Sequence, residues 1–158
     1  MDSDATKKMV WLASVLGILT IAGPAMGATA TNSMNVSATV NAACQISSVA
    51  DISFGVYDPL SVTPTDAAGN VVLRCVKGTS YKTYITGTRS MSGGGNTLNF
   101  DLYEDAGRTT TFPINNSAGS TTATSILPVT KNVYGRIPAG QDVTVASYTT
   151  TLVATVEY

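Results

Sequence analysis

Closely spaced turn signals constrain the fold of this 158-residue chain more than any other feature of its sequence. Combinations of Pro, Gly, Asn and Asp that favour turns fall at residues 58–59, 64, 68–70, 93–96, 105–107 and 138–140. Beyond the first 30 residues, no window of 11 repeats with the period of an amphipathic helix. Threonine is abundant and suits a pleated, half-buried surface, so the sequence predicts an all-β fold.

Alternating apolar residues between these turns predict the individual strands. The predicted strands cover residues 44–53, 71–77, 81–86, 97–103, 109–114, 126–134 and 148–158. Residues 115–124 are almost all Asn, Ser, Gly and Thr and are predicted to form a mobile surface loop. Short strands at this spacing favour a two-sheet sandwich of immunoglobulin-like type.

The first 30 residues have the layout of a secretory signal. Lys7 and Lys8 precede a run, residues 10–22, in which 10 of 13 residues are apolar. Small residues then offer cleavage after Gly27 or after Ala30. Thirteen residues are short for the roughly 20 that span a bilayer, so export is favoured over the alternative of an uncleaved membrane anchor.

Cys44 and Cys75 are the two cysteines of the chain. In an exported protein the compartment favours oxidation, so a disulfide between them is predicted. It would close a loop of about 30 residues, worth on the order of 3 to 4 kcal/mol. The alternatives are two buried thiols or a two-thiolate metal site, although two thiolates without histidine are too few for structural zinc.

Charge and histidine content exclude several classes of function. The chain has 10 acidic and 9 basic residues, no histidine and a net charge of −1. No large basic surface is available for nucleic acid. The Ser-His-Asp triad, the Cys-His pair and histidine-based zinc sites are all excluded. We therefore expect no enzymatic activity, no catalytic or metal-binding residues, and no cofactor.

Candidate acidic and basic sites have simpler interpretations. Asp101, Glu104 and Asp105 lack the further oxygen ligands of a calcium site. Asp51, Asp58 and Asp66 could pair as acid and base but are better interpreted as turn formers. Arg108 and Arg136 lie in glycine-containing turns and are interpreted as structural.

The two ends of the predicted domain suggest a function. Residues 34–42 alternate regularly, and their apolar residues are Met34, Val36, Ala38, Val40 and Ala42. At the other end, the last predicted strand continues to Tyr158, and an exposed apolar edge of this kind is a hazard for an isolated protein. A spare strand and an uncovered edge suggest that one copy completes the sheet of another. From alternation alone, pairing of this segment with the chain's own last strand is equally acceptable.

Several segments resemble the spore coat protein U family, which includes subunits of archaic, Csu-type chaperone–usher pili. The similar segments are residues 54–59 (FGVYDP), 69–75 (GNVVLRC), 98–109 (LNFDLYEDAGRT) and 134–141 (YGRIPAGQ). Their order and spacing, together with the two cysteines and the aromatic last strand, extend the resemblance over almost all of the mature chain. After Arg108, relatives carry a Trp-Gly-Asp-Gly-like stretch where this chain has residues 111–116 (TFPINN), which leaves open whether it is a major or a minor subunit.

The resemblance implies an incomplete immunoglobulin-like sandwich that lacks its last strand and is exported to the periplasm of a Gram-negative bacterium. Residues 1–30 would be the signal, residues 31–43 the donor strand and residues 44–158 the sandwich domain. A periplasmic chaperone would first fill the open groove, and at the outer-membrane usher the donor strand of the next copy would replace it. A tip adhesin is disfavoured, because such subunits carry an extra binding domain and lack a donor strand.

Two sets of residues are predicted to form the joint between subunits. The donor strand would insert Met34, Val36, Ala38 and Val40, and a slip by one residue would present its polar face instead. The acceptor groove is predicted to contain Leu152, Ala154, Val156 and Tyr158. The resulting fibre would serve adhesion and biofilm formation at the cell surface. The alternative is a secreted coat or matrix protein of the same fold that does not polymerise and binds carbohydrate.

Overall fold

The computed structural model describes residue 23 and residues 27–158. The predicted export signal, with Lys7, Lys8 and the apolar run 10–22, lies outside the described residues. The described chain divides into a unit that ends at Ser37 and a unit that covers Ala38–Tyr158. Residues 27–43 are exposed and have no regular secondary structure, so the alternating segment 34–42 forms no β-ladder.

Nine strands are assigned within the described residues, and all belong to the second unit. They are β1 (Cys44–Ala50), β2 (Thr65–Cys75), β3 (Ser80–Thr86), β4 (Ser90–Gly93), β5 (Asn96–Asn99), β6 (Asp101–Tyr103), β7 (Thr121–Thr122), β8 (Val129–Ile137) and β9 (Val153–Glu157). The described residues contain no helix, and therefore none that could cross a membrane. The predicted all-β class is confirmed.

The strands form two sheets and a hairpin, all of them antiparallel. One sheet has the order β1-β2-β8-β6, the other the order β7-β3-β9, and β4 and β5 form the hairpin. Inward-facing residues alternate along the strands, as with Tyr81, Thr83 and Ile85 on β3. The main core cluster contains Val71, Ile85, Leu98, Phe100, Leu102, Phe112, Val133 and Ile137. Two packed sheets around this core make the predicted immunoglobulin-like sandwich.

A second, smaller cluster surrounds the disulfide. Cys44 and Cys75 are bonded where β1 starts and β2 ends, which confirms the predicted disulfide. Leu73 and Tyr81 are buried beside it, and Val156 of β9 packs against the same cluster. The disulfide therefore fixes β1 to β2 at one end of the sandwich.

Some strand bounds differ from the sequence prediction. The differences arise where a glycine belongs to a strand rather than to a turn, and where a buried aromatic residue interrupts a strand. Strand β2 begins at Thr65, because Gly69 belongs to the strand rather than to a turn. Phe100 interrupts the predicted strand 97–103, and its N–H donates a hydrogen bond to the Arg89 carbonyl. The predicted strand 109–114 is reduced to a single bridge between Tyr103 and Thr111.

Four further differences concern strands that were not predicted or that begin elsewhere. Strand β4 was not predicted, and β7 lies inside the predicted mobile loop 115–124. The predicted strand 126–134 begins only at Val129 and continues to Ile137. The last strand starts at Val153 instead of Tyr148, because residues 148–152 line an open groove.

Candidate functional site: an open groove in the sandwich

A groove of about 1040 Å³ opens into the core between two segments that belong to no strand ladder. We call residues 51–57 the first wall and residues 143–152 the second wall. The floor consists of core side chains, among them Val71, Ile85, Leu98, Phe100 and Val133. The groove therefore exposes the interior of the sandwich along one side.

The first wall continues from β1 but leaves its sheet. Pairing of β1 with β2 ends at Ala50 opposite Asn70. Among the described residues, the backbone groups of residues 51–57 make no hydrogen bond to other backbone. Donors and acceptors of this wall are therefore free to pair with an added strand.

Two glycines of the underlying sheet allow the first wall to lie close to it. A Cβ on Gly69 would meet Ile52 at 2.9 Å and the Ala50 carbonyl oxygen at still closer range. A Cβ on Gly135 would meet the Phe54 ring at 2.6 Å. Phe54 also contacts Phe100, with ring centroids 5.9 Å apart. Glycine inside these strands thus marks a close approach of another segment.

Tyr57 connects the end of the first wall to residues 138–141, which precede the second wall. Its hydroxyl donates a hydrogen bond to the Pro138 carbonyl over 3.0 Å and accepts one from the Gln141 N–H over 2.8 Å. The Gln141 side chain in turn accepts from the Asn99 N–H and donates to the Asn99 carbonyl, both over 2.8 Å. We call these residues, Tyr57, Asn99, Pro138 and Gln141, the tyrosine latch.

The second wall rests on the β4–β5 hairpin. Ser92 and Thr149 exchange two backbone hydrogen bonds of 3.1 and 3.2 Å. The Thr144 N–H donates to the Asn96 side chain over 3.2 Å. A Cβ on Gly93 would collide with the Ser147 carbonyl, so glycine is needed for this close approach. The remaining backbone groups of residues 143–152 make no backbone hydrogen bond within the described part of the chain.

Electrostatically, the groove suits an uncharged occupant. Asp51 is the one charged residue among the described residues that line it. Val56 and Val145 stand on the two walls and are almost fully exposed. An apolar floor, apolar rims and two unpaired backbone edges together fit an extended, uncharged β-strand.

The predicted acceptor residues separate into two pairs in the structure. Leu152 and Ala154 line the groove and pack against the main core cluster. Val156 packs against the disulfide cluster instead, and Tyr158 is 60% exposed and outside the groove lining. The groove thus runs along residues 143–152 rather than along the end of the last strand. The first wall was not predicted from the sequence. Its FGVYDP segment, residues 54–59, overlaps this wall and supported only the family resemblance.

The predicted donor residues lie outside any ladder. Met34, Val36 and Val40 are 86%, 87% and 79% exposed, and Ala38 is exposed as well. The segment 31–42 contains no charged residue. It therefore matches the groove in polarity.

The charged residues outside the groove act within the fold. Asp66 accepts two hydrogen bonds from the Arg136 guanidinium, of 2.8 and 2.9 Å, and lies 3.2 Å from Arg108 Nε. The hydrogen bonds from Arg136 hold the pKa of Asp66 below its ordinary value, with help from the charge of Arg108. The contacts of both arginines agree with their interpretation as structural residues, but Arg136 lies in β8 and Asp66 in β2 rather than in turns.

Asp105 stabilises the loop of residues 105–110 through hydrogen bonds to its carboxylate. Its carboxylate accepts hydrogen bonds from the Thr110 N–H over 2.7 Å and from the N–H and hydroxyl of Thr109. These donors lower the pKa of Asp105. Within the described residues there is no group of three or more acidic, cysteine or histidine residues placed to hold a metal ion.

Comparison with known proteins gives one family and one curated relative. Residues 30–155 match the Spore Coat Protein U domain. The chain is 31% identical to Protein U of Myxococcus xanthus over 186 aligned positions, which cover 98% of this chain and 99% of that protein.

One solved structure supports the fold. It is the CsuC–CsuE chaperone–tip adhesion subunit pre-assembly complex from archaic chaperone-usher Csu pili of Acinetobacter baumannii. One of its chains matches with a TM-score of 0.50 and 19% identity, over 76% of this chain and 41% of that chain. The chain therefore spans less than half of the solved chain that it matches.

Proposed function

The chain belongs to the spore coat protein U domain family, and from this premise we propose that it is a structural subunit that polymerises by donating residues 31–43 to the groove of a second copy. The observation that carries the proposal is the open groove of about 1040 Å³ with an apolar floor and walls whose backbone groups, Thr149 apart, make no backbone hydrogen bond within the described residues. No catalytic step is needed, because the joint forms by strand addition.

The donor segment has the chemistry that this groove requires. Its alternation places Met34, Val36, Ala38 and Val40 on one face and Asn35, Ser37, Thr39 and Asn41 on the other. Burying the four apolar side chains is worth roughly 5 to 8 kcal/mol as an upper estimate. Ladder hydrogen bonds to the walls would each add about 0.5 to 1.5 kcal/mol.

The way in which the chain leaves the domain favours a second copy over self-pairing. The Ala43 carbonyl accepts a hydrogen bond from the Val76 N–H, which extends the β1–β2 ladder one residue beyond the disulfide. To enter its own groove, the segment would have to reverse within a few residues before Ala43. Residues 38–42 contain no glycine or proline, and Asn41 is the one strong turn former among them.

Export and assembly partners follow from the same proposal. The signal at residues 1–30 would deliver the chain to the periplasm of a Gram-negative bacterium. A chaperone would occupy the groove until an outer-membrane usher exchanges it for the next copy, and the fibre would serve adhesion and biofilm formation at the cell surface. The likeness to a chaperone–subunit complex supports the fold that such an exchange requires.

Substitution of the donor segment tests the proposal directly. We expect Val36→Asp to abolish fibre formation, because a charge would enter the apolar groove, and Asn35→Asp to leave it nearly unchanged, because that side chain faces outward. Fibre yield by electron microscopy and sedimentation is the measurement. Equal assembly of the two variants would contradict the proposal.

The second candidate is a coat or matrix protein of the same fold that does not polymerise and binds carbohydrate. Its support is the domain's family description and the similarity to Protein U over nearly the full length of both chains. Deleting residues 31–42 separates the two candidates. A polymerising subunit would lose self-association, whereas a coat protein of this kind would behave as before.

A further inference from the structure

Hydrogen bonds hold the groove at the end where the first wall stops. There the tyrosine latch connects Tyr57 to Pro138 and Gln141, across 81 and 84 residues of sequence and just before the second wall begins. Along the rest of the groove, the walls are not hydrogen-bonded to each other by any backbone pair within the described residues.

The first wall has few other attachments. Its backbone makes no ladder pair beyond Ala50, so it is held by the packing of Ile52, Phe54 and the Tyr57 ring on the core and by the hydrogen bonds of the Tyr57 hydroxyl. A segment held by so few contacts can move away from the core when one of them is removed. Groove width at this end therefore depends on Tyr57.

The tyrosine latch joins three of the sequence segments that resemble the spore coat protein U family. Tyr57 comes from FGVYDP, Asn99 from LNFDLYEDAGRT, and Pro138 and Gln141 from YGRIPAGQ. Gln141 donates its N–H to Tyr57 and uses its side chain to hold Asn99, which precedes the floor residue Phe100. Three separated segments thus meet at one end of the groove.

We propose that Tyr57 is a positioning residue that sets the groove width and thereby the affinity of the groove for an inserted strand, with Gln141 as its partner. This inference rests on the proposed function, in which the groove accepts the donor segment of a second copy. Tyr57 acts through the position of the first wall, and its hydroxyl is used by the latch rather than by the incoming strand.

The test measures binding of a labelled synthetic peptide of residues 31–42 to the purified full chain. All proteins carry Val36→Asp, so that their own donor segments do not compete, and binding is followed by fluorescence anisotropy. Tyr57→Phe removes two hydrogen bonds and is expected to weaken binding about tenfold. The matched control is Tyr84→Phe on β3, which removes a hydrogen bond of 3.1 Å to Glu157 of β9. Neither residue lines the groove, so binding is expected to change less than twofold.

A second measurement separates positioning from general stability. Spin labels on cysteines introduced at the exposed positions 56 and 145, one on each wall, should lie farther apart in the free Tyr57→Phe chain than in the parent, while amide hydrogen exchange in β2 and β8 stays the same. Gln141→Ala should weaken peptide binding in the same direction and takes the place of Tyr57→Phe if that variant does not fold.

The outcomes distinguish this inference from the proposed function. If the parent binds the peptide and Tyr57→Phe binds it equally well, the positioning role is wrong and the proposed function stands. If the parent does not bind the peptide, the proposed function is wrong, and the distance between the labels at positions 56 and 145 decides the latch alone. An unchanged distance would overturn the latch in either case.

Discussion

At the residue scale, Asp66 joins two distant arginines on the outer face of the larger sheet. It lies directly opposite Arg136 in the β2–β8 register, and Arg108 reaches it from the loop after β6. Arg108 has a left-handed backbone, with φ of 57°, and its guanidinium lies 5.9 Å from the Tyr134 ring centroid. These contacts hold the loop 105–110 against β8.

Asp66→Asn should lower the free energy of unfolding by about 0.5–1 kcal/mol at pH 7, because the pairs are partly exposed. The pKa of Asp66 is lowered in the folded chain, so its contribution is complete above the ordinary value of 3.8 and is lost as the pH falls below it. The difference between the two proteins should therefore shrink below about pH 4. Urea denaturation between pH 7 and pH 3 measures it.

Asp142→Asn provides the control, since Asp142 makes no ion pair within the described part of the chain. It should change stability little at any pH. A stability difference for Asp66→Asn that stays constant down to pH 3 would contradict the linkage to the Asp66 pKa.

The sequence predicted the roles of some single residues and not those of others. The disulfide followed from the compartment and the count of two cysteines. The partners of Asp66 could not be predicted, because they depend on strand register over 42 and 70 residues of separation. The role of Tyr57 was equally hidden, because its hydrogen bonds join segments that are distant in sequence.

At the element scale, the first wall lies close to β8 because the residue beneath it has no side chain. Gly135 lies on β8 below Phe54, and this residue has no left-handed backbone that would otherwise require glycine. Replacing Gly135 by alanine therefore tests the close approach of Phe54 to β8 without adding backbone strain.

Gly135→Ala should destabilise the fold by about 1–3 kcal/mol, because the new methyl group would displace the Phe54 ring. Without that contact, alanine in a strand would be neutral or stabilising, since it lowers the entropy of the unfolded chain. Gly119→Ala is the matched control, because nothing lies within 4 Å of a Cβ there. Thermal and urea unfolding are the measurements, and equal stabilities for the two variants would refute the close approach.

The elements predicted best were those with regular alternation, such as β3, predicted at residues 81–86 and found at Ser80–Thr86. Glycine was the main source of error. Gly69 was interpreted as part of a turn, yet it lies in β2 beneath Ile52. A sequence does not distinguish a glycine that turns the chain from one over which another segment passes.

At the scale of the whole molecule, the domain is a sandwich whose core is reached from one side. Its class, its two-sheet architecture and the incomplete sheet were all predictable from alternation, turn spacing and family resemblance. The position of the groove was not, because it depends on where β1 leaves its sheet and where β9 begins. Of the four residues predicted for the acceptor groove, Leu152 and Ala154 line this groove, whereas Val156 and Tyr158 lie outside its lining.

The central claim is that the donor segment of one copy fills the groove of another. Two variants of the full chain test it when they are mixed, one carrying Val36→Cys in the donor segment and the other Leu152→Cys in the groove. Cys44 and Cys75 are already bonded to each other, so the introduced thiols are the free ones. Asn35→Cys, on the opposite face of the donor segment, replaces Val36→Cys in the control mixture.

Mass spectrometry of peptides from the mildly oxidised mixture is the most direct measurement. We expect a disulfide between positions 36 and 152 of different copies and a much lower yield from the Asn35→Cys mixture. Equal yields from both mixtures would contradict the predicted register. No bond between copies, together with a bond between positions 36 and 152 inside a single chain that carries both substitutions, would contradict the central claim and indicate self-pairing.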